Sequence, residues 1–232
     1  MNIRNLSIPV GNNEQVSAIL SLPPEDREPR RTVGVITAHG AGNDMNNPLL
    51  VAFTEGLADA GYPAMRFNFP YKEKGLKAPD RQEKLENTWA AACRFFQEKS
   101  GITINLTIAA GKSMGGRIAS QMAAEGTLAV DGLIFLGYPL HPPSDKEKLR
   151  ADHLYRIRVP MLFFAGTRDP LCDFSLLQSV LDRLTAPWER EIIEGGDHSF
   201  HVPKKAGLSE AQIFARIVES AVRWLKKTFP ET

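Results

Sequence analysis

The stretch ITINLTIAAGKSMGGRIASQMAA, residues 102–124, decides how the rest of the chain is read. Its first part, Ile102 to Ala110, is a run of apolar and β-branched residues of the kind found in a strand covered on both faces. Its last part, Arg117 to Ala124, reads as helix. Between them stands Gly111-Lys112-Ser113-Met114-Gly115-Gly116, a G-x-S-x-G turn where a strand hands over to a helix. A turn that sharp forces the serine into a strained backbone conformation. The residues two before and two after it must then be small, to clear each other and the neighbouring strand. Gly111 and Gly115 meet that need. Gly111-Lys112-Ser113 is also the tail of a phosphate loop, G-x-x-x-x-G-K-[ST], but the first glycine of that pattern falls on Leu106 and the residues between read as strand interior. A helix-capping role is the bland alternative for Ser113.

Working outward, Val33 to Ala38, Ala64 to Phe69, Leu133 to Tyr138 and Met161 to Ala165 are further apolar or β-branched runs. Between them, Leu49, Phe53 and Leu57, then Leu85, Trp89 and Cys93, then Ile213, Ile217 and Ala221 recur every four residues, each set giving a helix one buried face. The last helix opens on a capping box, Ser209 to Gln212. Strand and helix alternating in this way predict an α/β fold with a mostly parallel, doubly wound sheet, because parallel neighbours need crossover connections. The first two dozen residues alternate about Gly11-Asn12-Asn13 and predict an N-terminal antiparallel hairpin. Leu22-Pro23-Pro24 and the charged stretch 25–31 predict a surface loop. Residues 139–160 break the rhythm and are expected to form a short lid-like excursion with one short helix. The whole, 1–232, reads as a single domain.

Composition limits the partners. With 232 residues the chain can bury about 70% of its unfolded surface and needs no disulfide or metal staple. Its 28 Lys+Arg against 27 Asp+Glu leave a formal charge of +1, without the basic excess that nucleic acid or an anionic membrane calls for. Cys93 and Cys172 have no partner at metal-ligand spacing, which fits a reducing compartment. The first twenty residues have neither a signal-peptide core nor a membrane span, so a cytoplasmic location is expected. The sequence assigns no oligomeric state.

A serine hydroxyl needs a base, and the base needs a third group to hold its tautomer. Asp169 lies in Gly166-Thr167-Arg168-Asp169-Pro170, just past the run Met161 to Ala165. His198 lies in Gly195-Gly196-Asp197-His198-Ser199-Phe200, after Glu191 to Glu194. The order Ser113, Asp169, His198 is that of a nucleophile elbow and its partners. Asp173 or Asp197 is the alternative acid and His201 the alternative base; a metal held by His198 and His201 lacks a carboxylate at suitable spacing. Two backbone N–H groups should face the developing oxyanion: that of Met114, directly after the nucleophile, and that of Ala41 in His39-Gly40-Ala41-Gly42, after the strand Val33 to Ala38. His39 is expected to brace that loop. His141 and His153 are candidate substrate contacts or simply solvated. Lys112 and Arg117 flank the elbow, where either would attract an anionic substrate, pair with a carboxylate or face water.

The AHGAG, GKSMGG, GTRDP and GGDHSF segments together resemble the α/β-hydrolase superfamily on its dienelactone-hydrolase-like side, over nearly the whole chain. Within it they look like a predicted-hydrolase subgroup that includes a testis-expressed protein. The resemblance implies Ser113 as nucleophile, His198 as general base and then acid, Asp169 as its orienting acid, and no cofactor. Dienelactone hydrolases carry cysteine at the nucleophile position, so serine here favours ordinary ester hydrolysis. The expected activity is therefore hydrolysis of a small carboxylic ester or thioester, with short acyl groups preferred because the excursion is small. The alternatives are acyl transfer from the same acyl-enzyme, or a non-catalytic interaction module on this fold.

Overall fold

The computed structural model describes residues 2–11, 13–24, 33–203 and 207–230. Among these, eight strands form one sheet in the order β1-β2-β4-β3-β5-β6-β7-β8: Asn2–Gly11, Glu14–Leu22, Val33–Ala38, Ala64–Phe67, Leu106–Lys112, Gly132–Leu136, Met161–Gly166 and Trp188–Ile193 for β1 to β8 in chain order. The pairings from β4 through β8 are parallel; β2 runs antiparallel to both β1 and β4 and makes the expected hairpin. The charged stretch 25–31 and Asn12 of the hairpin turn lie outside the described residues.

Side chains alternate across the sheet with the period of two that a strand imposes. Ile36, Ala38, Phe135 and Phe163 face one core, covered by α3 (Gln82–Lys99), α4 (Met114–Glu125) and α5 (Phe174–Leu181). Val33, Val35, Ile134 and Phe164 face the other, covered by α1 (Pro48–Asp59) and α6 (Glu210–Thr228). Burial on both faces is why these strands carry apolar runs rather than a polar–apolar alternation. The capping box of α6 is formed as expected, Ser209 accepting from the Gln212 N–H.

Several elements differ from the sequence reading, β6 among them, which ends at Leu136 rather than Tyr138. β4 stops at Phe67, because the Phe69 N–H turns to the ring Nε2 of His39 at 3.1 Å and Pro70, with no N–H, opens a one-turn helix, α2 (Pro70–Glu73). β5 begins at Leu106 rather than Ile102, since Leu106 pairs with Val33, the first residue of β3. The helix α5 lies outside the helices that the sequence pattern predicts; its signal is Asp173, whose carboxylate caps the Ser175 and Leu176 N–H groups. Residues 139–160 carry a single 3-10 turn, Leu154–Arg156, and bury Leu140, Ala151, Leu154 and Ile157 in the core. They are anchored packing as much as surface.

Strand order reverses between β3 and β5, the place where an open parallel sheet leaves a crevice beyond its carboxyl ends. At the other edge, the loops after β7 and β8 touch. A Cβ built on Gly166 would lie 2.2 Å from the Gly196 carbonyl oxygen, and the Arg168 N–H donates to that same oxygen at 2.8 Å. Gly166→Ala is thus expected to cost about 1–3 kcal/mol in urea unfolding by forcing the two loops apart, with a larger loss of any activity that needs both; unchanged unfolding would contradict this close approach.

Candidate active site

Ser113 sits between β5 and α4 with φ 51° and ψ −114°. This left-handed region costs a non-glycine residue about 1–3 kcal/mol. The neighbours hold it there. A side chain at Gly111 would strike the Gly116 nitrogen at 2.2 Å, and one at Gly115 would meet the carbonyl oxygens of Ala38 and His39 at 2.7 Å. The Trp89 indole of α3 donates to the Gly115 carbonyl at 3.1 Å and pins the first turn of α4 from outside.

His198 and Asp169 arrive from the touching loops after β8 and β7. The ring Nε2 of His198 lies 2.9 Å from Ser113 Oγ, and its Nδ1 lies 2.7 Å from Asp169 Oδ2. The Asp169 side chain is fully buried, and its other oxygen accepts the Leu171 N–H at 2.8 Å. Held so, the carboxylate fixes the Nδ1–H tautomer and leaves Nε2 to face the hydroxyl. The alternatives are engaged elsewhere. Asp173 caps α5 and pairs with Lys146; Asp197 accepts the Ser199 and His201 N–H groups of its own loop. His201 faces Asp197 at 3.5 Å and Glu210 at 3.0 Å.

The loop after β3 lies against the elbow: a Cβ on Gly40 would be 3.4 Å from that of Ser113. Ala41 and Met114 both line the cleft that opens at Ser113, a cavity of about 420 Å³. The fully buried His39 braces this loop, with Nδ1 donating to the Gly40 carbonyl at 2.9 Å and Nε2 accepting from Phe69. Tyr71, which no motif singles out, donates to the same carbonyl at 3.3 Å. Burial lowers the pKa of His39 to about 4, which keeps it neutral.

His141 and His153 are not solvated, and neither lines this cleft. His141 is fully buried, accepting the Asp173 N–H on Nε2 and donating from Nδ1 to the Pro142 carbonyl. His153 stands 2.8 Å from Ser120 Oγ and 3.2 Å from the Tyr138 hydroxyl, and burial, with Arg117 nearby, lowers its pKa to about 4. Residues 139–160 tether their own backbone through these rings. Lys112 has the least expected position: it is buried, with Nζ donating to the His198 carbonyl at 2.5 Å, and burial lowers its pKa to about 8. Among the described residues no group of three His, Cys, Asp or Glu is arranged to hold a metal ion, and no helix is long and apolar enough to cross a membrane.

A family model described as the alpha/beta hydrolase domain matches residues 31–226. The chain belongs to that family. Solved structures similar to this hydrolase-family chain include the dienelactone hydrolase of Anabaena variabilis, at 19% identity over 98% of each chain with a TM-score of 0.74. An alpha-beta serine hydrolase homologue from Coxiella burnetii is 21% identical over 96% of this chain and 97% of that one, TM-score 0.74. A member of the a/b serine hydrolases without lid, from Xanthomonas campestris, is 18% identical over 99% and 96%, TM-score 0.75. At such identities the likeness is one of fold.

Two measurements test these electrostatics. His39 and His153 have folded pKa values near 4 against 6.5 unfolded, so between those values the unfolded chain binds protons that the folded chain refuses. Stability should fall as pH drops from 6.5 to 4, by up to about 3 kcal/mol for each histidine, and His39→Asn should flatten that limb in urea unfolding at stepped pH. Lys112 shows the same sign in an alkaline window: the folded chain loses its proton near pH 8 and the unfolded chain near 10.5, so burial of the ammonium ceases to oppose folding as pH rises through that range. Lys112→Met should therefore unfold no more easily at pH 7, yet lose about tenfold or more in kcat/KM because the His198 loop has lost its donor; full activity would show the contact to be idle.

Proposed function

We propose that the protein is a serine hydrolase that cleaves a carboxylic ester or thioester through an acyl-enzyme. The observation carrying this reading is the continuous chain Asp169–His198–Ser113, with contacts of 2.7 and 2.9 Å, at a serine held in the left-handed region. In acylation, Ser113 Oγ bonds to the substrate carbonyl carbon as its proton passes to His198 Nε2. That proton then goes to the leaving oxygen or sulfur as its bond to carbon breaks. In deacylation, water repeats the sequence, and the proton returns to Ser113 Oγ as the carboxylic acid departs. Asp169 stays ionised, holding the ring and stabilising the imidazolium. The Met114 N–H, at the start of α4, and the Ala41 N–H serve the oxyanion, each contributing about 3 to 4 kcal/mol to the transition state.

The substrate would be a small molecule, with a short acyl group suited to a cleft of about 420 Å³. No step calls on a cofactor. A reducing, cytoplasmic setting is in keeping with Cys93 and Cys172, both free and buried. The AHGAG, GKSMGG, GTRDP and GGDHSF segments support a reading within the subgroup that includes a testis-expressed protein.

The test is a fluorophosphonate probe read by intact mass on wild type, Ser113→Ala, His198→Ala and Asp169→Ala. Wild type should gain one adduct and Ser113→Ala none, with His198→Ala slowed by several orders of magnitude and Asp169→Ala by less. Folded wild type that stays unlabelled, or labelling that survives Ser113→Ala, overturns the assignment.

A further inference from the structure

The cleft at Ser113 contains two arginines that no carboxylate answers. Arg117 and Arg150 both line it, and among the described residues neither makes an ion pair. Arg117 is half-buried one helical turn beyond the serine, its N–H donating to the Ser113 carbonyl at 3.0 Å, and its side chain has only a 3.3 Å contact to Gln121 Oε1. Burial disfavours its charged form, Tyr138 opposes that, and the charge of Arg150 adds a smaller push in the same direction as burial. The one acid in the lining, Asp80, is engaged by the Tyr71 N–H at 2.8 Å and faces Lys84 at 3.8 Å. Arg117 is half-buried and Arg150 exposed at the rim of the same cleft, and the two like charges oppose each other unless an anion joins them.

Their backbones are fixed by one buried polar network. Ser120 Oγ donates to the Arg117 carbonyl at 2.8 Å and meets His153 Nε2 at 2.8 Å. The Tyr138 hydroxyl, 3.2 Å from that same nitrogen, donates to the Arg150 carbonyl at 2.7 Å. Ser120, Tyr138 and His153 are all buried. A buried network that steadies two unpaired cations at the mouth of a nucleophile is the construction of an anion site.

The position says which part of the substrate is charged. The cleft is lined by Ser113, Met114 and Ala41 but not by His198, whose Nε2 must reach the leaving atom. It therefore receives the acyl side. Leu85, Ile118 and Leu171 line it as well, offering an apolar path between the carbonyl and the guanidinium groups. We propose that the acyl group ends in a carboxylate, so that the substrates are half-esters or half-thioesters of short dicarboxylic acids, with Arg117 and Arg150 binding the distal carboxylate. This rests on the serine-hydrolase reading and narrows its acyl side. Hydrolysis then releases an alcohol or thiol and the free dicarboxylate.

Two readouts separate the failure of this inference from failure of that reading. The first compares kcat/KM for monoethyl glutarate and its neutral isostere ethyl 5-methylhexanoate, followed by proton NMR. Wild type should favour the anion by roughly tenfold to a hundredfold, the worth of a charge-assisted hydrogen-bonded pair. In Arg150→Gln and Arg117→Gln that ratio should fall towards unity, chiefly through KM. The second measures calorimetric binding of N-ethylglutaramate and N-ethyl-5-methylhexanamide, which lack a labile ester, to Ser113→Ala. The anion should bind tighter by a similar factor, and the preference should vanish in the double variants with Arg150→Gln. Turnover without preference for the anion overturns the carboxylate site and leaves the hydrolase standing. Binding preference without turnover keeps the site and removes the hydrolase. Equal binding of both amides, with or without turnover, overturns the proposal.

Discussion

The site depends on one backbone angle. Ser113 at φ 51° turns the chain from the end of β5 into the first turn of α4 with no intervening loop, and it does so against a cost of about 1–3 kcal/mol. What offsets that cost is the surrounding fit. Gly111 and Gly116 are in van der Waals contact, Gly115 lies under the carbonyls that end β3, and the Trp89 indole closes the remaining acceptor. Each of these contacts excludes a side chain, so the glycines are imposed by packing around the serine and not by flexibility. The β3 loop with Gly40 and Ala41 is drawn against the same turn, which is why Ser113, Met114 and Ala41 share one cleft.

His198 and Asp169 are brought to Ser113 by a second close approach. Gly166 ends β7 against Gly196 beyond β8, and the backbones exchange hydrogen bonds there: Thr167 to Ile193, Arg168 to Gly196, and the Gly195 N–H to the Thr167 hydroxyl. With the loops locked, Asp169 needs no long side chain to meet the His198 ring. The last tie runs across the sheet. Lys112 belongs to the elbow strand, yet its ammonium reaches the His198 carbonyl, so serine and histidine are linked through a lysine as well as by their own hydrogen bond.

Much of this was legible in the sequence because it follows short-range rules. Residues 111–116 announce the turn through glycine spacing, and the runs at 33–38 and 161–165 announce strands buried on both faces. The chain order of Ser113, Asp169 and His198 at strand ends gave the constellation that the folded distances now display. What the sequence could not give depends on where distant segments meet. Phe69 leaves its strand because His39, thirty residues earlier, accepts its N–H. His141 and His153 lie among polar and charged residues and read as solvated, yet are buried by neighbours from α4 and the start of α5. The capping aspartate of α5 was visible, but it competed with a reading of Asp173 as a catalytic acid.

Lys112 and Arg117 show most clearly how burial assigns roles that composition leaves equal. Both flank Ser113 and both carry one positive charge. Lys112 precedes the serine at the end of β5, so its flexible stem runs into the protein, where an ammonium finds a carbonyl and gains from the field of Asp169 and Asp197. Arg117 follows four residues later on α4 and lines the cleft, where it faces Arg150 and makes no ion pair among the described residues. A lysine serves the first position because three donors on a point charge suit a lone carbonyl. An arginine serves the second because its planar fork matches a carboxylate. The same two charges thus divide into one that holds the His198 loop and one left without an ion pair in the cleft, and the division is made by the turn between them.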